Sequence, residues 1–268
     1  MLSKLLKQEF RATSRIMLPV YGLLLLSSVS AGLLALLSGH YPDSDAMDTI
    51  ATLAITIYGF VAVGAVLLTM ALMVYRFYKN LMTDEGYLMF TLPVSRSQLI
   101  WAKLIASVVW SALTAVLGIL SMLLATQVLL GAEGWKDLGD FCRTVLGVMG
   151  GDANALLYGL ELLLVALLLC LSFYLRFYAA IATGHSFSNR KMLLTVLIYL
   201  GFGLAGQILS TVVLGNLWFR MLANTGSSLD AIQDFHSFWW VLILYYALWS
   251  AGLYVLTLLM TKKRLNLQ

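Results

Sequence analysis

The chain has few charged residues, few cysteines and few prolines. Only 11% of its 268 residues are charged, against roughly 25% in a typical soluble domain. Its two cysteines are far apart in the sequence, Cys142 in a polar segment and Cys170 in an apolar one, so neither a disulfide framework nor a cysteine metal cluster is indicated. Its three histidines are equally scattered, which argues against a histidine metal site.

The signatures of common enzymes are also missing. The sequence contains no G-x-x-x-x-G-K-[ST] loop for nucleotide phosphates, no H-E-x-x-H and no G-x-S-x-G. His185 and Ser186 are neighbours near the end of an apolar stretch, but such a pair is more typical of a loop than of a catalytic dyad. We therefore expect the chain to have no catalytic activity and no cofactor of its own.

Long apolar runs make up most of the chain. Hydrophobic residues account for 61% of it, and six stretches are long enough to cross a hydrocarbon core of about 30 Å as helices. Since lipid cannot hydrogen-bond the backbone, we predict an all-α polytopic membrane protein with one transmembrane domain over residues 1–268. The first run is too long for the core of a signal peptide, so we expect it to be retained. The predicted spans are 17–39, 49–75, 103–130, 153–175, 192–214 and 238–260.

Lysine and arginine are distributed unevenly between the two sides that these spans define. Of the 17 lysines and arginines, 14 lie on the side of the termini. The three on the other side are Lys136, Arg143 and Arg220. Basic residues favour the cytoplasmic side, which predicts a multi-pass protein of the cytoplasmic membrane with both termini in the cytoplasm. The basic character of the chain is thereby explained without nucleic acid as a partner.

Residues 1–16 have a different pattern from the first span. Their apolar residues recur at helical spacing, and the basic residues lie off that face. This pattern predicts an amphipathic helix lying in the membrane interface. The alternative is a frayed, solvated N-terminus. The apolar residues are Leu2, Leu5, Leu6, Phe10 and Ile16, and the polar ones are Lys4, Lys7, Gln8, Arg11 and Arg15.

Two long segments, 131–152 and 215–237, connect spans on the other side. Both carry apolar residues at helical spacing, including Trp135 and Trp218, and are predicted to be short helices at the outer interface. Two roles are compatible with this pattern, simple anchoring in the interface and a lid over an exit path.

The connection between the second and third spans, residues 76–103, is the most informative segment. Thr83 is suited to cap a short helix, and Asp84 and Glu85 suit its first turn because they complement the helix dipole. The helix should run to about Thr91 and end before Pro93, since the residue before a proline avoids the helical region.

The same connection then restarts a helix and exposes apolar side chains. Ser95 and Gln98 have the spacing of a capping box, which predicts that the third helix begins there. Gly86 permits a close backbone approach. An exposed apolar patch on so short a helix favours a partner site, whereas the alternative is a helix lying on the membrane surface. The apolar residues are Tyr87, Leu88, Met89, Phe90 and Leu92.

These residues resemble a known family. The run E-G-Y-L-x-x-T-L-P-V-S between the second and third of six spans is similar to that of membrane subunits of type-2 ATP-binding-cassette exporters, in particular bacterial permeases for peptides or drugs. The N-terminal interfacial helix is similar to the elbow helix of that family. A weaker echo is the second loop on this side, A-T-G-H-S-F-S-N-R-K.

The resemblance implies a function and its partners. The short helix would be a cytoplasmic coupling helix seated on one of two separate P-loop ATPase subunits, which would bind the ATP and Mg²⁺. A second permease chain, in a homodimer, would complete the pore, and the cargo would be an amphipathic peptide or a hydrophobic drug. Carried over, the ATPase contact comprises Asp84, Glu85, Gly86, Tyr87, Leu92 and Pro93, with Gly184 and His185 at a lesser contact.

Glu161 is predicted to be the only charged residue well inside a span. An ionised side chain there costs about 2.5–3.5 kcal/mol on insertion scales, so we expect it to face a polar cavity or a partner. It either lines the translocation path, with Gln127 and Gln207 as weaker candidates, or is a hydrogen-bonded packing residue. The alternatives to an exporter subunit are a carrier or channel that needs no ATPase and an accessory immunity protein.

Overall fold

The computed structural model describes residues 2–41, 44–83, 85–91, 93–151, 153–187, 190–223 and 228–263. Over these ranges the chain is almost entirely helical, as its six apolar stretches predict, and each predicted span lies within one long helix. The helices are α1 (Leu2–His40), α2 (Asp45–Met82), α3 (Glu85–Thr91), α4 (Arg96–Gly151), α5 (Ala153–Gly184), α6 (Lys191–Ala223) and α7 (Ser228–Lys263).

Every helix except α3 is long and apolar enough to cross a membrane. These six present large aliphatic and aromatic side chains outward, such as Phe60 at 76% exposure and Leu26 at 72%. Only 6% of the most apolar stretch of α6 is buried, against 28% for α1. Such surfaces suit a lipid solvent, which confirms the prediction of an all-α, multi-pass membrane protein.

The described contacts divide the chain into two compact units. Unit 1 comprises residues 1–2, 74–108 and 153–268, and unit 2 comprises residues 3–73 and 109–152. Because α2 and α4 each contribute to both units, this division does not test the predicted single transmembrane domain, which stays a prediction.

Unit 2 has a hydrogen-bonded seam inside its apolar core. The Tyr21 hydroxyl of α1 lies 2.9 Å from Thr114 Oγ1 of α4, and Thr114 Oγ1 lies 2.9 Å from Thr69 Oγ1 of α2. All three side chains are buried, so each hydroxyl needs a partner inside the protein. Backbone carbonyls of Trp110 and Ala65 lie 3.2 Å from the Tyr21 hydroxyl and 2.7 Å from Thr69 Oγ1 as further acceptors, so each of these hydroxyls has a partner and the seam joins three helices.

Unit 1 is centred on the packing of α5 against α6 and α7. The C-terminal part of α2 joins this group through Phe77, whose ring stacks on Tyr178 of α5 with centroids 3.8 Å apart. The first part of α4 joins it through Ser107, whose hydroxyl lies 2.9 Å from that of Tyr178. Both rings are fully buried, so Tyr178 is a shared anchor of three helices.

The predicted separation of residues 1–16 from the first span is not confirmed. The helix α1 runs without a break through both segments and contains Pro19. A proline removes one backbone bond and bends a helix, but spanning helices tolerate it when neighbouring groups compensate. Exposure follows the amphipathic pattern only in part, since Lys4 and Lys7 are exposed and Leu5 and Phe10 are partly buried, but Ile16 is 44% exposed. The interfacial location stays a prediction.

The prediction of two long connections with separate short helices is wrong. Residues 131–151 continue α4, whose 56 residues would extend about 84 Å at the usual rise. Residues 215–223 likewise continue α6, and residues 228–237 begin α7. The physical reason is that these segments contain no proline and repeat their apolar residues at helical spacing, so nothing ends the helices at the edge of the apolar stretch.

Candidate functional site

The short helix α3 forms where the sequence predicts it. Glu85 starts the helix and bonds through Oε1 to Lys79 Nζ of α2 at 3.2 Å, both side chains being about half exposed. Gly86 is buried, and its N–H donates to the carbonyl of Thr83 at 2.8 Å. The Thr83 hydroxyl donates to Lys79 O, so it completes α2 instead of capping α3.

The start of α4 is fixed by the predicted capping box. Ser95 N donates to Gln98 Oε1 at 3.4 Å, and Gln98 N donates to Ser95 Oγ at 3.3 Å. Pro93 is exposed between the two helices. Of the other residues predicted at the ATPase contact, Asp84 and Leu92 lie outside the described residues, and the side chain of Tyr87 is not described either.

The first turns of α4 are tied to the end of α7. Ser97 Oγ lies 2.6 Å from the hydroxyl of Tyr254, and the Trp101 ring packs on Tyr254 with centroids 5.4 Å apart. The guanidinium of Arg96 donates to the carbonyl of Thr261. Together with the Phe77–Tyr178 stack, these bonds link both helices that flank α3 to α5 and α7.

Gly184 and His185, predicted at a lesser ATPase contact, are both buried in unit 1. A Cβ on Gly184 would lie 2.1 Å from Thr195 Oγ1 and 2.9 Å from Thr195 Cα, so only glycine lets α5 end this close to α6. His185 is 6% exposed and packs on Tyr78 with ring centroids 5.4 Å apart. This packing gives both residues a structural role, and their contact with an ATPase stays a prediction.

The imidazole of His185 is held in its neutral form. Nδ1 lies 2.9 Å from the carbonyl of Ile181, which can only accept, so Nδ1 carries the proton. Burial lowers the pKa of His185, the Ile181 carbonyl opposes this effect, and the charge of Lys191 adds slightly to it. A neutral, buried imidazole is better suited to packing than to proton transfer in solution.

Glu161 is buried and has a partner. Its carboxylate accepts from His236 Nδ1 of α7, with Nδ1 2.9 Å from Oε1 and 3.0 Å from Oε2. The side chains are 5% and 19% exposed respectively. The expectation that Glu161 needs a polar environment is therefore met by a histidine 75 residues further along the chain.

Tyr158 completes this cluster. It precedes Glu161 by about one turn of α5, and its ring stacks on the imidazole of His236 with centroids 4.1 Å apart and planes 5° apart. The stack holds the imidazole plane of His236 against α5, beside the Glu161 carboxylate. The other ring nitrogen, His236 Nε2, is buried and has no hydrogen-bond partner among the described residues.

The two glutamines predicted beside Glu161 do not strengthen the case for a polar path. Gln207 is exposed on α6. The side chain of Gln127 lies outside the described residues. Neither observation tests whether Glu161 lines a translocation path, which stays a hypothesis.

Arg176 is a charged residue inside α5. It lies one position beyond the predicted span 153–175, and the helix continues past it to Gly184. Its Nε is buried and has no hydrogen-bond partner among the described atoms. A basic residue at the end of an apolar run usually marks the end of a span, so Arg176 fits the predicted boundary at residue 175 although the helix itself continues.

An open apolar groove lies between α6 and α7, with a volume of about 330 Å³. Its walls are aliphatic except for two stacked rings of α7, Tyr245 and Trp249. The Tyr245 hydroxyl donates to the carbonyl of Gly206 at 2.6 Å, which fixes one wall of the groove. In a spanning segment such a groove suits an acyl chain or an apolar cargo group.

Comparison with known proteins adds no identification. No protein-family model matches the chain, no curated protein is significantly similar to it, and no solved structure matches its fold. Function therefore has to be argued from the geometry of the two sites, the α2–α3–α4 connection and the Glu161–His236 pair.

Proposed function

We propose that the chain is the membrane-spanning permease subunit of an ATP-binding-cassette exporter. Two separate ATPase subunits would drive it from the cytoplasm, and a second copy of the chain would complete the pore. Both termini and α3 would face the cytoplasm. The resemblance to this family implies an amphipathic cargo, either a peptide or a hydrophobic drug, and the apolar α6–α7 groove is compatible with one.

The observation that carries this proposal is the placement of α3. Seven residues, Glu85–Thr91, form a helix between two long apolar helices. The Lys79–Glu85 pair joins α3 to α2, and the Ser95–Gln98 box starts α4 directly after it. A segment that only connects two spans needs no helix of its own. A segment that transmits a force from a partner to the spans needs a rigid element such as α3.

The bonds around α3 provide a route for motion. A force on α3 would move the end of α2 and the start of α4 together. The Phe77–Tyr178 stack would pass it to α5, and the Ser97–Tyr254 bond would pass it to α7. Closure of the ATPase subunits would then rock these helices as a rigid group and switch the cavity between inward and outward access.

Purification from the native membrane in mild detergent tests the proposal. A P-loop ATPase should co-purify with the chain, and Glu85→Lys should reduce its yield severalfold because it reverses the charge at the contact. Asp140→Lys is the matched control, since Asp140 is an exposed acid paired with Arg143 at the other end of α4. Absence of an ATPase, or equal loss in both variants, would refute the proposal.

One observation favours a second candidate, a proton-coupled carrier that needs no ATPase. A buried carboxylate–histidine pair is a common element of proton relays in membrane transporters. The two candidates differ in one measurement. A carrier would move solute in vesicles containing the purified chain alone when a pH gradient is applied, whereas a permease subunit would not.

A further inference from the structure

The Glu161–His236 pair has an unusual combination of burial and incomplete bonding. Glu161 lies within the apolar run of α5, and His236 lies two residues before the apolar run of α7 at 238–260. Both carboxylate oxygens contact Nδ1, while Nε2 is buried with no described partner. Nδ1 of His236 is therefore hydrogen-bonded to Glu161, whereas Nε2 has no partner among the described residues.

Three protonation states of the pair differ in net charge. With a carboxylate and a neutral imidazole protonated at Nδ1, the pair carries one negative charge. A proton on Nε2 makes an imidazolium and a neutral pair, and a further proton on Glu161 gives one positive charge. In a medium of low polarity the neutral pair is favoured, because either neighbouring state leaves an uncompensated charge.

Other ionisable groups near the pair are few. From α5 the described neighbour is Tyr158, stacked on His236. The helix α6, which packs against both α5 and α7, has no titratable residue between Tyr199 and Arg220. On α7 the preceding acids are Asp230 and Asp234, whose side chains lie outside the described residues. The pair is therefore the main described titrating unit at this end of unit 1.

We propose that Glu161 and His236 form a proton-binding site that fastens α7 to α5 most strongly while the carboxylate is ionised and Nε2 carries a proton. Binding a further proton at the Glu161 carboxylate removes the attraction across the pair and leaves an unpaired imidazolium. The beginning of α7 is then free to separate from α5. The His236 side chain is 19% exposed and lies two residues before the apolar run 238–260, so it is the more accessible member of the pair.

The proposal does not depend on an ATPase. In an ATP-driven permease the site would make the α5–α7 contact sensitive to the pH on its side of the membrane. In a proton-coupled carrier it would be the coupling site itself. If no ATPase co-purifies, the proposed proton-binding site is unaffected. If the site fails its own test, the proposed exporter function is unaffected.

Thermal unfolding of the purified full chain in detergent tests the proposal. Near neutral pH, Glu161→Gln and His236→Gln should each lower the Tm by about 5 °C, because each leaves one buried group without its charged partner. The double variant should be at least as stable as the less stable of the two single variants. At a pH acidic enough for infrared spectroscopy to show that the carboxyl group of the pair is protonated, the difference between wild type and variants should shrink to about 1 °C. Asp140→Asn, which breaks an exposed pair, should leave the Tm within about 1 °C at both pH values.

Infrared spectroscopy gives a readout that does not need the single variants to fold. On acidification the wild type should gain a protonated-carboxyl band that is absent from the double variant Glu161→Gln/His236→Gln. That variant buries no charge at the pair. Additive effects of the two substitutions, a stability difference unchanged by pH, or identical infrared changes in both proteins would overturn the proposal.

Discussion

The rings of Phe77 and Tyr178 are stacked at 3.8 Å, within 7° of parallel, and both are completely buried. They join α2 to α5 near the end of α2, eight residues before α3 begins at Glu85. Phe77→Ala should therefore leave a cavity and lower the free energy of unfolding by about 3–5 kcal/mol. Phe60→Ala is the matched control, since Phe60 lies on the same helix at 76% exposure. Similar losses of thermal stability in both variants would show that the stack is not a structural anchor.

Gly184→Ala should destabilise the turn between α5 and α6. The added methyl group would overlap Thr195, and Thr195→Ala in the same chain should not rescue it, because Thr195 Cα and N also lie 2.9 Å from the modified position. Gly201→Ala, with no atom within 4 Å of the new methyl group, should be neutral or slightly stabilising. Thermal unfolding of the three variants in one detergent measures this. Rescue by Thr195→Ala would mean that only the side chain sets the distance.

Thr114→Val should weaken the seam of unit 2. It keeps the shape of the side chain but removes the hydroxyl that lies against both Tyr21 and Thr69, so we expect a loss of about 1–2 kcal/mol. Thr56→Val is the control, since the hydroxyl of Thr56 is exposed and bonds within its own helix to Thr52. Denaturation of both variants under the same conditions compares them, and equal stability would contradict a structural role for the seam.

Acidification should destabilise the chain in part through His185. Burial lowers its pKa below the value of about 6.5 in the unfolded chain, so the unfolded state takes up the proton more readily. Stability is thus lost as the pH falls below about 6.5. Because glutamine cannot take up a proton, His185→Gln should have a shallower dependence of Tm on pH, whereas exposed His40→Gln should keep the slope of the wild type. Identical slopes in all three proteins would contradict the burial effect.

The helices were predictable because their signal is local. Lipid requires about 20 apolar residues in succession, and a run such as 49–75 meets that requirement without reference to the rest of the chain. The limits of α3 were also predictable, since Pro93 stops one helix and Ser95 with Gln98 starts the next. Each of these predictions depends on residues only a few positions apart.

The contacts between helices were not predictable in the same way. Burial of Glu161 implied a partner, but no local pattern selects His236, because the choice depends on how α5 packs on α7. The length of α4 did not follow from its apolar run, because a helix can continue beyond the residues that are apolar enough for lipid. The close approach of Gly184 to Thr195 likewise follows from tertiary packing, and the sequence offered no signal for it.

Crosslinking from α3 in living cells tests the central claim most directly. A photoreactive amino acid at the exposed position of Thr91 should capture a P-loop ATPase, identified by mass spectrometry, whereas the same group at exposed Trp135 on α4 should not. Capture only from position 91 is the predicted result. The account is contradicted if position 91 captures no ATPase, or if an impermeant reagent added to intact cells reaches a cysteine placed there.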